Sequence, residues 1–526
     1  MKMIFYGGTI LTMENHLYAQ AVLIEDGRIR AVGTEAELRS LAPDAELYHL
    51  EGRTMLPAFL DPHSHFTGTA NSFLQLSLEE VACLEELEEK IGKFIVDNHI
   101  LPGEWVLCKG YDQNNLPDRM HPPLALLDRC APENPMVLQH QSGHMGVFNS
   151  MALQMLGVTL ETPAPEGGLI EKRDGRLTGY MEENAFVSYL QKTPMPDLPT
   201  LLDAYERAQN LYASHGITTV QKGMMVDALI PLYRQLTEQN LLKVDVVGFP
   251  GRAAGEAFFN AFPASVNRYE RHFKIGGIKI FLDGSPQGKT AWMRKPYVGD
   301  GEYYGYGTMC DETVLESISY AYMHHLQILA HCNGDAAAAQ YIRCLESAYS
   351  SGMDMSVLRP VMIHAQLLGT DQMDAVKRLH IIPSFFIGHV YHWGDTHIQN
   401  FGLERASVIS PVASALKKDI LFTLHQDAPV TNPDMLESVW CAVNRVTKKG
   451  VALGAEEAIP VLDALKAVTY HAAYQYFEED AKGSIRPGKN ADFVILDANP
   501  LTIAPMEIRN IKVSATIKSG RLIYGK

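Results

Sequence analysis

Residues 326–365 read LQILAHCNGDAAAAQYIRCLESAYSSGMDMSVLRPVMIHA. Two short apolar runs, QILAHC (327–332) and PVMIHA (360–365), flank a helix-like stretch, and a histidine stands near the end of each run. Apolar runs of this length suit strands buried on both faces, and their alternation with helical stretches is the pattern of βαβ units sharing a parallel sheet. The rhythm extends both ways from this unit. MLPAFLD (55–61), GITTVQ (216–221), KVDVVGF (243–249) and GIKIFLD (277–283) precede it, and IIPSFF (381–386) and ILFTLHQD (420–427) follow.

Eight such strands predict an α/β fold, a (β/α)8 TIM-like barrel, in which chemistry gathers at the C-terminal strand ends. Outside the repeat, the first fifty residues hold β-rich runs, MIFYGGTILTM (3–13) and AVLIEDGRIRAVG (21–33), the second with Asp26-Gly27 at a hairpin turn. The last forty repeat the style in ADFVILDANP (491–500) and VSATIKSGRLIYG (513–525), the latter turning at Ser519-Gly520. The two ends are therefore expected to pair into one composite domain, 1–56 with 480–526, around a barrel domain at 57–479. Residues 67–200 break the rhythm. They are rich in proline and turn dipeptides, hold at least one extra strand, PMVLQHQ (135–141), and read as an insertion after the first strand, a candidate lid or substrate wall.

Composition agrees with a large buried core: 526 residues, 46% apolar and 20% charged. A formal charge of -16 with pI near 5.7 offers no basic stripe, so neither nucleic acid nor an anionic membrane is an expected partner. Seven scattered cysteines without a Cys-x-x-Cys pair point to a reducing compartment. The N-terminal MKMIFYGGTILTMEN lacks the form of a signal peptide, and no apolar run reaches eighteen residues; a soluble cytoplasmic protein is the expectation.

The polar residues at the strand ends carry the chemistry. His63 and His65 in FLDPHSHF are two apart on an extended segment, so both imidazoles reach one side and one ion; the plain alternative is two histidines near a turn. His331 and His364 stand at the ends of their own strands, and Asp427 ends ILFTLHQD. A carboxylate there ligates an ion and takes a proton from water, or caps the turn before Ala428-Pro429. His425, two residues earlier, touches substrate or packs. Lys279 lies inside the apolar run GGIKIFLDG, where burial of an ammonium demands either a carboxylate partner or carbamylation by carbon dioxide, which gives an anionic bridging ligand. Lys222, in TTVQKGM, reads as an exposed lysine near a strand end.

FLDPHSH (59–65), GGIKIFLDGSPQGKTAW (276–292), LAHCNGDAA (329–337), VMIHAQ (361–366), LHQDAPVTNP (424–433) and GSIRPGKNADFVIL (483–496) together resemble the amidohydrolase superfamily. Within it they resemble the YtcJ-like branch, which includes N-substituted formamide deformylase. The similarity spans nearly the whole chain. The last motif marks the superfamily, while KIFLDGSPQGKTA and HQDAPVTNP mark the branch. The resemblance implies a zinc-type centre of one or two divalent ions on His63, His65, carbamylated Lys279, His331, His364 and Asp427, with the termini as a small β-sandwich. It also implies a homodimer. His144, in the inserted HQSGHMGVFNS (140–150), resembles a residue that the branch directs at a substrate carbonyl; a locally bonded loop histidine is the alternative. His389 and His392, with Tyr391 and Trp393 in FFIGHVYHWGD (385–395), line an aromatic pocket wall or pack a loop. Gln287-Gly288-Lys289 in place of a more usual Gly-Ser-Arg, Lys222 after TTVQ, and His425 before Asp427 depart from the branch and leave the substrate open.

The expected reaction is hydrolysis of a non-peptide carbon–nitrogen bond in a small-molecule amide. A zinc-activated hydroxide attacks the carbonyl, and Asp427 accepts and then returns the proton. Metal-dependent deamination is the alternative chemistry. A regulatory protein that kept the scaffold without catalysis is the alternative class.

Overall fold

Parallel pairing of the apolar runs organises the computed structural model, which describes residues 1–79, 81–98, 100–194 and 197–525. We label the central strands β1 (Phe59–Leu60), β2 (Ile217–Met225), β3 (Asp245–Pro250), β4 (Gly277–Phe281), β5 (Gln327–Cys332), β6 (Val361–His364), β7 (Ile382–Phe385) and β8 (Thr423–Leu424). They form two all-parallel arcs. One runs from β1 through β2 and β3 to the short strand Phe273–Ile275, and the other from β4 in order to β8. Phe273–Ile275 and β4 are one apolar run interrupted at Gly276, where a Cβ would lie 2.8 Å from the Phe249 and Val247 side chains. A bridge between Gly251 and Lys279 joins the two arcs there. Across the other gap, the His65 amide donates to the Ala428 carbonyl at 2.7 Å.

Helices cover the strands through apolar faces of helical period. In Asp335–Ser350 the buried positions include Ala337, Ala338, Tyr341, Cys344, Leu345 and Ala348, spaced three or four apart, and Asp335 favours the positive N-terminal end. Burying a side chain such as Leu345 contributes about 1.5–3 kcal/mol. The helix begins three residues after β5, and in the turn between them the Asn333 and Gly334 amides donate to Asp283, just past β4.

MLPAFLD does not act as one strand. Thr54–Pro57 pairs antiparallel with Phe493–Leu496 and parallel with Thr9 and Ile10, and only Phe59–Leu60 joins β2. Pro57 has no amide hydrogen to continue a ladder, and the chain changes sheets beside it. Both termini share the resulting eight-stranded sheet, ordered Arg521–Gly525, Val513–Lys518, Phe493–Leu496, Thr54–Pro57, Lys2–Leu11, Tyr18–Glu25 and Arg28–Gly33, with Glu46–His49 also paired to Lys2–Leu11. Its hairpins turn at Asp26-Gly27 (φ 48° and 80°) and Ser519-Gly520 (φ 48° and 75°), both with two left-handed residues, which matches the twist of the flanking strands. Phe493 and Ile495 face the core of this sheet, while Val494 and Leu496 pack into the core of the parallel strands.

The 67–200 segment holds more strand than its one recognised run suggests. It builds a six-stranded sheet ordered Gly168–Arg173, Arg176–Glu182, Met145–Phe148, Met136–His140, Val106–Tyr111 and Leu76–Ser77. This sheet has apolar clusters of its own, among them Leu87, Ile91, Val106, Leu127 and Leu138. Among the described residues no helix is long and apolar enough to cross a membrane.

Candidate metal centre

The C-terminal ends of β1, β4, β5, β6 and β8 bring their polar residues together. Ring centroids step from His65 to His63 (5.2 Å), from His63 to His364 (5.4 Å) and from His364 to His331 (4.5 Å). Asp427 Oδ1 lies 3.2 Å from His63 Nε2 and 3.3 Å from His65 Nε2. Ligand atoms of these three residues lie within 4.8 Å of one another.

Their hydrogen bonds fix which nitrogen is bare. Gln221 spends its amide nitrogen on the Pro62 carbonyl (2.7 Å), so its Oε1 faces His63 and accepts the Nδ1 hydrogen at 2.5 Å. His65 Nδ1 donates to the Gly223 carbonyl at 3.2 Å. Each Nε2 is therefore without a hydrogen and faces a carboxylate oxygen that has no hydrogen-bond partner among the described residues; His63 Nε2 also accepts from Lys279 Nζ at 3.0 Å. The 3.2–3.3 Å contacts are close approaches of acceptors rather than hydrogen bonds. Burial pushes His63 down to about 3, which keeps it neutral. Burial alone would raise Asp427, but its surroundings, His364 foremost, hold the carboxyl well below its usual range. Three converging lone pairs repel unless a cation lies between them, and an imidazole and carboxylate set is what a divalent ion binds. The residues fit the ion.

β5 and β6 supply the adjoining side. His331 Nδ1 donates to Asp283 Oδ1 at 3.2 Å. Asp283 is held in turn by the Asn333, Gly334 and Trp292 amides (2.9, 2.7 and 3.1 Å), although burial raises it to about 7. Among the described residues His364 Nδ1 is buried without a partner, and His364 (φ 70°) and Asp427 (φ 55°) both adopt left-handed backbone. Such conformations cost about 1–3 kcal/mol and concentrate where side-chain aim matters.

Lys279 Nζ is buried 3.0 Å from His63 Nε2, and among the described residues no carboxylate forms an ion pair with it. Burial lowers the amine to about 8. Gly223 makes this approach feasible, since a Cβ there would lie 2.9 Å from the His63 ring and 3.4 Å from Lys279 Nζ. Lys222 is not exposed. It is 6% accessible because β2 continues through it to Met225, and its ammonium donates to the Gly223 and Met224 carbonyls at 2.6 and 3.1 Å. Burial, then repulsion by Lys279, lowers it to about 7.

His144 reaches the cluster from the insertion, its ring 5.2 Å from that of His331. Its Nδ1 donates to Glu183 Oε2 at 2.8 Å. Burial disfavours its charged form, but Glu183 outweighs that and raises the histidine. His425 packs against His63 and His364 (5.1 and 5.2 Å), with both ring nitrogens buried and unpartnered among the described residues. His389 is one ring further out; it touches Phe386 and Trp393 and bonds His397 at 2.9 Å. His392 Nε2 bonds Glu437 Oε1 at 2.8 Å. Gln221, Asp283 and Glu183, which orient the cluster's rings, were not singled out from the sequence. Only their positions at or near strand ends hinted at them.

The chain belongs to the amidohydrolase family, whose model matches residues 46–524. A second model, the bacterial imidazolonepropionase-like composite domain, matches residues 21–45. Among curated relatives, YtcJ of Bacillus subtilis (strain 168) is 26% identical over 549 residues, covering 100% of both chains. The N-substituted formamide deformylase of Arthrobacter pascens is 29% identical over 531 residues, covering 96% of this chain and 95% of its own. These matches support the YtcJ-like branch. Among solved structures, an uncharacterized metal-dependent hydrolase from Pyrococcus horikoshii superposes with a TM-score of 0.78 at 22% identity, over 96% of this chain and 99% of that one. At that identity the likeness concerns the fold.

Proposed function

We propose that the chain is a metal-dependent hydrolase of non-peptide carbon–nitrogen bonds that acts on small-molecule amides. The observation that carries this reading is the convergence of the unprotonated His63 and His65 Nε2 atoms on Asp427 Oδ1, with Lys279 Nζ 3.0 Å from the first. His63, His65, Lys279, His331, His364 and Asp427 would hold one or two divalent ions. Zinc suits imidazole and carboxylate donors without thiolate. Such an ion, when bound, polarises a carbonyl and brings the pKa of water toward about 7.

The chain's own residues supply the remaining steps. Asp427, ionised at neutral pH, accepts the proton of the attacking water and returns it to the departing amine; the products are an amine and a carboxylic acid. His144 hydrogen-bonds the substrate carbonyl, and His389 and His392 belong to the outer wall of the substrate pocket. Lys279 serves as a carbamate. Its amine, lowered to about 8 by burial, has a neutral fraction near pH 7 that bonds the carbon of CO2 and releases a proton. The two parallel arcs close as one (β/α)8 barrel at 57–479, and the shared terminal sheet is the β-sandwich domain of 1–56 and 480–526.

The name of the Arthrobacter relative supports an amide substrate. The test removes metal with a chelator, restores zinc, manganese or iron singly, and assays N-formyl and N-acetyl amines with metal content measured alongside. Activity should vanish with the metal and return with zinc. Unchanged amidase activity in the metal-free protein would overturn the proposal.

A further inference from the structure

We infer that Glu183 is the positioning residue for His144, joining the insertion to the loop after β4 so that the imidazole is aimed at the metal cluster. The inference deepens the reading of His144 as a substrate contact and rests on it. Glu183 lies at the end of the inserted hairpin, its side chain 4% accessible. It contacts His144 twice, through the carboxylate on Nδ1 (2.8 Å) and through its own amide, which donates to the His144 carbonyl at 2.7 Å. The other carboxylate oxygen accepts the Thr290 hydroxyl at 2.7 Å, and Thr290 Oγ1 in turn accepts the Ser285 amide at 2.8 Å.

Three features make this clamp specific rather than a passing contact. With Nδ1 bound to Glu183, the ring can meet a ligand only through Nε2, and its neighbours are His331 and Phe281 at 5.2 and 6.0 Å. Glu183 adopts a left-handed backbone (φ 47°), a cost of about 1–3 kcal/mol that the surrounding contacts must offset. Gly284 leaves room for the Thr290 contact: a Cβ there would lie 2.3 Å from Thr290 Oγ1 and 2.4 Å from Glu183 Oε1. The clamped loop begins beside Asp283, which bonds His331, and follows the strand that carries Lys279. One carboxylate thus fixes an inserted histidine in the frame that aims two cluster residues.

The test is a double-mutant cycle with Glu183→Gln, His144→Ala and both together in the zinc-reconstituted protein. It reads the affinity of acetohydroxamate, a small chelating mimic of a hydrated amide, and kcat and KM on N-formyl amines. Each single change should weaken hydroxamate and lower kcat by about tenfold, and the pair should lose little more than either alone. Thr290→Val should give a smaller loss, and Glu183→Asp should recover part of the Glu183→Gln loss. In metal-free, 15N-histidine-labelled protein, the hydrogen-bonded Nδ1 proton that disappears in His144→Ala should also weaken in Glu183→Gln. Additive losses in the cycle, or an unchanged Nδ1 signal in Glu183→Gln, would overturn the inference. Absent amide turnover in the wild type would defeat the proposed reaction instead, while the hydroxamate and NMR arms still report on Glu183.

Discussion

The parallel strands bury charge at both ends, and the two ends treat it oppositely. At the N-terminal ends, Asp245 meets Lys482 and Lys518 at 2.6 Å each and His272 at 2.7 Å. Glu478 joins Lys482 (2.6 Å), Lys274 and Tyr269 (2.9 Å), and Asp492 lies 3.4 Å from Lys518. Three carboxylates face three lysines, and the network staples the terminal sheet and the segment after β8 to the first residue of β3 and to the short strand Phe273–Ile275. At the C-terminal ends, acceptor faces acceptor, ring nitrogens of His364 and His425 lack partners among the described residues, and the backbone of His364 and Asp427 is left-handed. A buried polar cluster that satisfies itself is a fastener. One that leaves lone pairs converging is shaped for something it must bind.

The largest effects should separate the two ends cleanly. Asp427→Asn should lower amide turnover by about 10^4-fold, because one change removes a ligand and the proton acceptor. The same change should cost the metal-free protein no more than about 1 kcal/mol, since it keeps the side-chain volume and strands no ion-paired ammonium group. Asp245→Ala should do the reverse. It strands two buried ammonium groups and should destabilise the fold by about 3–5 kcal/mol in urea unfolding, leaving the metal content of the folded protein unchanged. A stable, active Asp245→Ala protein, or an Asp427→Asn protein that unfolds, would erase the distinction.

Asp283→Asn offers a finer cut, since it lies outside the converging lone pairs but aims one member. Metal affinity should fall by about 10- to 100-fold at the His331 side, as for other partners that orient ligating histidines, with unfolding little changed. Titration of zinc into metal-free protein reads this directly. Equal loss at both sides would mean that the cluster moves as one body.

The sequence made one part of this contrast legible. His63, His65, His331, His364 and Asp427 were noticed because polar residues at the ends of apolar runs are conspicuous, and the folded chain does bring them together. Their partners were not, because partnership is long-range: Gln221 is 158 positions from His63, Asp283 is 48 from His331 and Glu183 is 39 from His144. Nothing local distinguishes these side chains from ordinary strand and loop residues. The paired network at the other end was hidden for the same reason, since Lys518 and Asp245 are 273 positions apart. Thr54–Pro57 and Phe59–Leu60 are equally apolar, so no pattern within MLPAFLD could show that the chain changes sheets between them. Lys222 reads as exposed because the apolar run stops at Gln221, whereas β2 continues to Met225 and adjacent carbonyls, which sequence patterns do not display, satisfy its cation.

The smallest effect is a difference in pH window. Asp245 is held well below 3.8 in the folded protein, burial opposing and Lys482 and Lys518 prevailing, so its contribution is complete above that value and is lost only as pH falls through the folded one. His63 goes from 6.5 when unfolded to about 3 when folded, chiefly through burial. Below 6.5 the unfolded chain takes up a proton that the folded chain refuses, so stability falls with pH in a range where Asp245 is silent. Between pH 7 and 5.5, metal-free wild type should lose roughly 1 kcal/mol more than His63→Gln, and Asp245→Asn should track the wild-type slope. Urea unfolding at both pH values measures it. A wild-type slope equal to that of His63→Gln would show that the imidazole is already protonated in the fold, and with it that no bare lone pair awaits an ion at that position.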